Sequence, residues 1–487
     1  MRNSYPPLPW IFLCFSLFAG ACEAPPPRRV IVRAGRLLDG AGGDVQTGVR
    51  VTLEDGLVAA IAPDVGEPPS GTDIHVVDAR GATVLPGLVD AHTHLLASAA
   101  CTPGRGAGLR QGLRNVHAYA AAGVTTVADL GGPARVMIGL RRYVGTGRSR
   151  GPRVLVAGPM LTAPGGYPVG THDAMALRKR GVVRELASVA EAHAAVRELA
   201  DVGVDLIKVA LQAQHFDGNP LPVLSDELVC AVVEEAHKQD LRVLAHAISE
   251  RAYATALACQ VDALAHGSGE PLSADLIDRL ATGQVPVVPT LHVFEAVQES
   301  PAAFARRNEA LGPSWALSDI VRTDLAHYID GNARPGPFLP DVFGVLVPRA
   351  PLQAGSEARR RNVQLLAARG VPLAFGTDSS FCNTWAGAPV DELEKLVEAG
   401  LSPAAALRAA TSGGARALGL EDAIGTLKVG YRADMIVVDG RPDEDVTALR
   451  RVQHVFIDGV PQARGPAPWY GLALLLVELG RTWLAGN

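Results

Sequence analysis

The chain has 487 residues, which is too long for one small domain and leaves room for a barrel of roughly 250 residues with an accessory domain. Its hydrophobic share of 48% and charged share of 20% are those of an ordinary globular protein. A formal net charge of −5 gives no basic surface, so we expect no nucleic-acid partner.

The first 22 residues have the pattern of a bacterial secretion signal. Arg2 precedes the apolar run WIFLCFSLFAGA, which is too short to span a bilayer and ends in small residues. Residues 19–22 resemble a lipobox in which Cys22 would be lipidated, although Ala19 stands where Leu is usual. The proline-rich residues 23–29 would form a linker. We therefore expect an exported protein, periplasmic or anchored to a bacterial membrane only through Cys22.

Short strands with glycine-centred turns flank the central part of the chain. They occupy residues 30–86 before it and 418–465 after it. Their alternation predicts a small β-sandwich built from both chain ends, without a catalytic cluster.

The central residues 87–417 alternate short apolar runs with helical patterns. Residues 186–203 and 225–240, for example, repeat apolar residues three or four positions apart. Eight strands, each followed by a helix, predict a (β/α)₈ TIM barrel, an α/β fold whose chemistry lies at the carboxyl ends of the strands. The eight apolar runs are residues 89–94, 124–130, 153–159, 205–210, 242–247, 262–267, 285–290 and 371–378.

Six potential metal-binding side chains lie toward the ends of these runs. Two histidines in an HxH step point to the same side of a strand, because side chains alternate with period two. Each residue taken alone also has a structural explanation. A histidine can be hydrogen-bonded within the core, a lysine can extend its amine to the solvent, and an aspartate can cap the next helix. The occurrence of all six at strand ends in barrel order favours a metal site. The six are His92, His94, Lys208, His246, His266 and Asp378.

These residues, with the stretch AATSGGARALGLEDAIGTLKVGYRADMIVVDG, resemble the amidohydrolase superfamily over about residues 30–463. The chain is similar to the branch whose two-metal centre is bridged by a carboxylated lysine, which includes imidazolonepropionase-like hydrolases and metal-dependent Xaa-Pro and Xaa-Arg dipeptidases. The resemblance implies that one metal is held by His92, His94 and Asp378. It implies that His246 and His266 hold the other metal, with carboxylated Lys208 as the bridge.

The expected chemistry follows from these ligands. Desolvation on a buried strand should lower the pKa of Lys208 and favour the neutral amine, which adds carbon dioxide to give a bidentate carbamate. Two divalent ions sharing a water would lower its pKa from near 16 to about 7. Asp378 would take the proton as the hydroxide attacks and pass it to the departing amine. We expect zinc, although manganese, iron and cobalt suit the same ligands.

Residues that touch the substrate are less clear from the pattern. Tyr167 and His172 lie in the glycine-rich loop after the third strand, and Tyr167 stands where the relatives often have histidine. His292 follows the seventh strand and faces the same rim. The loop 215–224 and the long stretch 294–354 are candidate binding or lid elements, or merely packed insertions.

The cysteines and the C-terminal segment have no predicted catalytic role. Once Cys14 and Cys22 are assigned to the signal, the other four are scattered without CxxC spacing, so we expect buried or unpaired thiols and neither a zinc knuckle nor a disulfide framework. Residues 466–487 have the pattern of an apolar helix that is shorter than a bilayer span. We expect this helix to pack on the body of the protein or on another subunit. Association with a membrane surface is the less favoured alternative. The four scattered cysteines are Cys101, Cys230, Cys259 and Cys382.

Three functions remain open at this level. The first is metal-dependent hydrolysis of a C–N bond in a dipeptide or an N-acyl amino acid by a homo-oligomeric enzyme. The second is opening of a cyclic amide of the imidazolone type by the same hydroxide. The third, from another class, is a non-catalytic surface lipoprotein that binds a metal or a peptide.

Overall fold

The computed structural model describes nine segments of the chain. The predicted signal with Cys22, and also His172, Cys101 and Cys382, lie outside the described residues. Predictions about them, and the domain bounds given above, stay predictions. The described residues are 29–98, 107–146, 151–170, 178–300, 302–303, 306–307, 347–379, 383–462 and 471–484.

Strands from both chain ends form one seven-stranded sheet, in the order β16-β15-β14-β4-β1-β2-β3. β4 pairs parallel with β1 and antiparallel with β14, so it joins the two ends. The sheet has its own buried cluster, which includes Leu37, Met435 and Phe456. The two-layered sandwich stays a prediction. The strands are β1 (Arg29–Leu37), β2 (Gln46–Glu54), β3 (Leu57–Pro63), β4 (Ile74–Pro86), β14 (Met435–Val438), β15 (Val452–Ile457) and β16 (Val460–Pro461).

The central strands form two further sheets, with the orders β5-β6-β7 and β13-β12-β11-β10-β8-β9. All of their pairings are parallel, and most of their residues are buried, as expected for strands covered on both faces. The sequence did not predict the short β8 and β9. The strands are β5 (Leu88–Thr93), β6 (Val124–Asp129), β7 (Arg153–Val156), β8 (Met160–Thr162), β9 (Val183–Glu185), β10 (Leu206–Ala210), β11 (Arg242–His246), β12 (Ala263–Ala265) and β13 (Val287–Val288).

Backbone hydrogen bonds connect these two sheets on both sides. On one side, Asp205 N donates to Val156 O over 2.8 Å. On the other, the predicted eighth strand makes only isolated bridges, from Leu373 to Val287 and from Ser379 to Thr93. The central strands therefore have a TIM-barrel-like arrangement, in which the last member is paired only at isolated positions.

The predicted helices are present with recognisable ends. Ser188 and Ser225 cap α3 and α4 by accepting hydrogen bonds from Glu191 N and Leu228 N, and Gly203 ends α3 in the left-handed conformation. The helices are α1 (Leu109–Ala121), α2 (Ala134–Gly145), α3 (Val189–Val202), α4 (Asp226–Lys238), α5 (Glu250–Ala258), α6 (Ala274–Gly283), α7 (Leu291–Ala296), α8 (Arg349–Ala368), α9 (Pro389–Glu398), α10 (Pro403–Arg408), α11 (Gly414–Ala417) and α12 (Gly471–Leu484), with a π-helical turn (Ala409–Gly413) and a 3₁₀ helix (Val446–Arg451).

The C-terminal helix α12 packs on the body of the protein, which is one of the alternatives left open by the sequence. Leu475 and Leu479 are buried, and a Cβ placed on Gly139 of α2 would lie 2.5 Å from Leu479. Glycine at position 139 thus lets the two helices approach closely. Among the described residues, no helix is long and apolar enough to cross a membrane.

Two cysteines correct the sequence analysis. Cys230 of α4 and Cys259 at the end of α5 form a disulfide, where we had predicted unpaired thiols. Their spacing of 29 residues matches no short motif, and only the packing of the two helices brings them together.

Candidate metal centre

Four of the predicted histidines form one continuous cluster of rings. His92 and His94 lie at the end of β5, His246 ends β11, and His266 follows β12. The ring centroids are 5.4 Å apart for His92 and His94, 4.6 Å for His92 and His266, and 4.3 Å for His246 and His266. Residues from distant parts of the sequence therefore meet at one rim.

The Asp378 carboxylate contacts three of these rings. Its Oδ1 lies 3.1 Å from His94 Nε2 and 3.4 Å from His92 Nε2, and its Oδ2 lies 3.9 Å from His266 Nδ1. Ligand atoms of His92, His94 and Asp378 all lie within 4.8 Å of one another. The three residues proposed to share one metal are thus close enough to do so.

Lys208 lies within β10, with its side chain fully buried at 0% exposure. Its Nζ has no hydrogen-bond partner among the described residues. Burial lowers the pKa of Lys208 to about 7, against a smaller opposite effect of Asp378. A substantial fraction of the amine is therefore neutral at neutral pH, which is the form that reacts with carbon dioxide.

Burial also keeps most of the histidines neutral. It lowers the pKa of His92, His246 and His266 well below the usual value. Burial acts in the same direction on His94, but the hydrogen bond and charge of Asp378 outweigh it and raise the pKa of that residue. A neutral imidazole is the form that binds a metal.

Two buried side chains orient the histidines of the second predicted metal. Gln212 Nε2 donates to Gln214 O over 2.6 Å, so its Oε1 faces His246 Nε2 at 2.8 Å and accepts from that nitrogen. Thr290 Oγ1 lies 2.7 Å from His266 Nδ1. These contacts leave His246 Nδ1 and His266 Nε2 as the nitrogens for a metal.

A buried hydrogen-bond network lies beneath His92. Asp90 Oδ2 accepts from Thr377 Oγ1 over 2.6 Å, and Asp90 Oδ1 accepts from the backbone N of Thr377 and of His92. Burial raises the pKa of Asp90 to about 7, although these hydrogen bonds act against the rise. The network continues through Ser379 to the hydroxyl of Tyr119. It holds β5 and residues 377–379 in register, and these segments carry His92 and Asp378.

The backbone is strained at three positions of the rim. His266, Thr290 and Asp378 have φ angles of 77°, 48° and 49°, which place them in the left-handed region without being glycine. Such strain persists only where the surrounding structure holds it, and it is typical of functional sites.

The candidate substrate residues divide between two places. Tyr167 stacks on His246 with ring centroids 4.4 Å apart, and burial raises the pKa of its hydroxyl, so it lies at the cluster as a protonated phenol. His292 Nε2 lies 3.6 Å from the Asp391 carboxylate, which Arg307 also contacts at 3.0 Å. His292 thus lies beside a salt-bridge network, and its proposed contact with substrate stays untested.

The donor set fits a pair of divalent ions. His92 Nδ1 and Lys208 Nζ are buried atoms without a hydrogen-bond partner among the described residues. Buried polar groups are otherwise almost always satisfied. Neutral imidazoles, a carboxylate and a lysine able to become a carbamate are ligands that zinc and similar ions accept.

The model of the amidohydrolase family matches residues 83–461, which span the central strands and both metal-ligand clusters. The chain belongs to the amidohydrolase family. This amidohydrolase contains the metal-ligand residue types predicted from its sequence.

Three similar proteins show the range of the likeness. An uncharacterised protein of Mycobacterium tuberculosis is 30% identical over 269 residues, 53% of this chain and 62% of that protein, so the match spans less than two thirds of the relative. The imidazolonepropionase of Salinispora arenicola is 27% identical over 88% of this chain and 97% of its own length. A solved structure from Bifidobacterium longum, assigned as a prolidase, superposes with a TM-score of 0.68 at 25% identity, covering 94% of this chain and 100% of that one.

Sequence analysis of this amidohydrolase missed the residues that support the predicted ligands. Gln212 comes four residues after Lys208, and Thr290 ends the seventh apolar run, so both are polar residues at strand ends. That signal was available. Asp90 stands two residues before His92 within the same buried strand, where a carboxylate is unusual enough to have indicated a role.

Proposed function

We propose that this amidohydrolase is a binuclear metal-dependent hydrolase of dipeptides or N-acyl amino acids. The observation that carries the proposal is the cluster of four histidines and Asp378, together with the unpartnered buried Lys208, whose charge interacts with Asp378 and His92. The likeness to a structure assigned as a prolidase supports a substrate with an amide bond to an amino acid.

The ligand assignment follows the geometry. His92, His94 and Asp378 would hold one divalent ion, and His246 and His266 would hold the second through the nitrogens that Gln212 and Thr290 leave free. Carboxylated Lys208 would bridge the pair. When bound, the two ions lower the pKa of a water from near 16 to about 7 and polarise the substrate carbonyl.

Asp378 would act as general base and then as general acid. Its Oδ takes one proton from the attacking water, whose oxygen forms the new bond to the carbonyl carbon. The same proton is then delivered to the amide nitrogen as the C–N bond breaks. One water is consumed; its second proton stays on the new carboxyl group until it passes to the amine or to solvent, so the products at neutral pH are a carboxylate and an ammonium ion. The contacts to His92 and His94 hold the carboxylate in place for both transfers.

Opening of a cyclic amide is the second candidate. The likeness to an imidazolonepropionase over nearly the whole of that enzyme favours it. The chemistry at Asp378 would be the same, because a ring C–N bond also needs a proton delivered to its leaving nitrogen. The two candidates therefore differ in the substrate pocket and not in the reacting groups.

We further propose that the central strands close into a (β/α)₈ barrel and that the terminal strands form a sandwich beside it. Hydrogen bonds from residues 371–379 to both β13 and β5 support closure. We also propose export of the protein. The disulfide between Cys230 and Cys259 supports export, because such bonds persist in oxidising compartments.

Metal analysis is the first test. Protein lacking residues 1–22, purified without chelator, should contain about two divalent ions per chain by elemental analysis. One ion or none, even after incubation with zinc and bicarbonate, would contradict the binuclear centre. A panel of dipeptides, N-acyl amino acids and cyclic amides then separates the two candidate reactions. If none of these compounds is hydrolysed, the third function, a non-catalytic surface lipoprotein that binds a metal or a peptide, would be favoured instead.

A further inference from the structure

Arg359 of α8 is a buried cation beside the candidate metal centre. Its residue exposure is 5%, and its Nε donates to Gly267 O over 3.1 Å. Gly267 directly follows His266, so the arginine contacts the backbone next to a proposed metal ligand. The guanidinium lies over the ring of Phe294, 3.5 Å from its centroid. Phe294 in turn packs against the His266 ring, with centroids 5.6 Å apart.

The guanidinium of Arg359 has no anionic partner in the part of the chain that the structure describes. Among the described residues, no carboxylate lies within ion-pair distance of it, and its Nη1 and Nη2 donate to no acceptor. The nearby Glu295 is engaged by Arg360 at 2.7 Å and Lys395 at 3.5 Å. Arg307, by contrast, has the usual arrangement of a buried arginine, because its guanidinium forms salt bridges with both Glu299 and Asp391. A buried cation without a counter-ion is costly and calls for an explanation.

A purely structural role explains little of this arrangement. Asn362 already holds the loop after β12 with three hydrogen bonds, from its Nδ2 to Ser268 O and Glu270 O and to its Oδ1 from Leu272 N. Arg359 adds only the bond from Nε, and that bond leaves the two terminal nitrogens unused. Two glycines leave space for these terminal nitrogens. A Cβ on Gly269 would lie 3.0 Å from Nη2, and a Cβ on Gly355 would lie 2.9 Å from Nη1.

We propose that Arg359 binds the carboxylate of the amino acid that leaves when the amide bond is cleaved. The inference rests on the proposed function and narrows its substrate class to dipeptides and N-acyl amino acids with a free C-terminal carboxylate. A planar guanidinium offers two parallel donors to a carboxylate, a pairing that a neutral side chain cannot replace. Burial lowers the pKa of Arg359 to about 10, so the group is still charged at neutral pH.

Matched pairs of ligands test the proposal without depending on turnover. The probes are N-acetyl-L-phenylalanine, N-acetyl-L-proline and their primary amides, which lack the carboxylate. Binding to the metal-loaded enzyme is measured by calorimetry. At least one acid should bind wild-type protein roughly 10 to 100 times more tightly than its amide, the ratio expected for hydrogen bonds to a charged group. The ratio should fall to about 1 in Arg359→Gln.

The matched control is Arg361→Gln, which removes the same charge from an exposed position on the same helix. It should keep the preference for the acid. If Arg359→Gln does not fold, Gly269→Ala retains the arginine but displaces its guanidinium, and it should lower the same ratio. Folding of each variant is checked by circular dichroism and metal content.

The outcomes separate the two proposals. The carboxylate role is wrong if no acid outbinds its amide in wild-type protein, or if the preference persists in both Arg359→Gln and Gly269→Ala. It is also wrong if these variants weaken acid and amide equally, since that is the effect of a structural residue. Hydrolysis of the same compounds tests the proposed function. Selective binding without hydrolysis would support the role of Arg359 and contradict the proposed reaction.

Discussion

Gln212 Oε1 lies 2.8 Å from His246 Nε2, and the same amide donates to Gln214 O. One buried side chain therefore ties a proposed metal ligand to the loop that follows β10. It also decides which nitrogen of His246 is available. Groups that orient a ligand in this way commonly contribute 10- to 100-fold to metal affinity.

We expect Gln212→Leu to weaken binding of the second metal ion by roughly 10- to 100-fold, because the His246 ring loses its orienting acceptor. Competition with a chromogenic chelator measures the affinity. Gln214→Ala is the control, since only the backbone carbonyl of Gln214 accepts the bond from Gln212. Unchanged affinity in Gln212→Leu would show that His246 is not a ligand or needs no support.

Lys208→Ala should lose metal and activity together, because the bridging oxygen ligand is gone. Added short carboxylates such as formate, acetate or propionate should partly restore both, since they can occupy the space of the carbamate. Elemental analysis and turnover are measured on the same samples. A variant that kept two ions and full turnover would rule out the bridge.

Reloading of the chelated enzyme with metal should depend on pH. The pKa of Lys208 is lowered to about 7, so the neutral amine is the minor form at pH 6 and the major form at pH 8. Carbon dioxide adds only to the neutral amine, so at fixed carbon dioxide pressure we expect recovery of activity to be roughly tenfold faster at pH 8 than at pH 6. Protonation of His94, whose pKa is raised, acts in the same direction.

The Lys208→Ala variant rescued with acetate lacks the titrating lysine. The pH dependence of its recovery therefore measures the contribution of His94. Its recovery should change much less between pH 6 and pH 8. An equal change in the variant and in the wild-type enzyme would assign the effect to the histidine and not to the lysine.

Asp378→Asn should lower kcat by roughly 10²- to 10⁴-fold, because the amide cannot accept a proton from the attacking water. Steady-state kinetics on the best substrate of the panel measures the loss. Asp275→Asn, which changes an exposed carboxylate on α6, is the control and should retain kcat. A variant with kcat within a few fold of wild type would exclude Asp378 as the proton carrier.

The disulfide predicts a stability difference. Replacing Cys230 and Cys259 together with Ser should lower the free energy of unfolding by about 3 kcal/mol, because the bond closes a loop of 29 residues. Urea unfolding monitors the change. A reducing agent should shift the wild-type curve toward that of the double variant and leave the variant itself unaffected. Coincident curves for all samples would contradict the observed pairing.

The six proposed ligands could be predicted from the sequence because the signal is local. A buried strand appears as an apolar run, and its polar end residue is visible within five or six positions. His92 and His94 even share one side of one strand by period alone. Parallel strands carry their carboxyl ends to the same edge, so local patterns were enough to place Lys208, His246, His266 and Asp378 at one rim.

Other features depended on distances between residues that are far apart in the chain. The sequence alone could not show that Gln212 faces His246 or that Thr290 meets His266, and so it could not tell which ring nitrogen is free. It missed the three-residue strands β8 and β9 because a run of that length has no measurable period. It also predicted free thiols where the packing of α4 and α5 pairs Cys230 with Cys259.

The sequence by itself thus indicated the family by its resemblance to known members, and it indicated the TIM-barrel-like arrangement of strands and the candidate ligands by residue type and local period. The tertiary structure decided how the ligands are oriented, which buried groups lack partners and where Arg359 lies. These properties depend on desolvation and on hydrogen bonds a few ångströms long between residues up to hundreds of positions apart. Such energies exist only once the chain has folded.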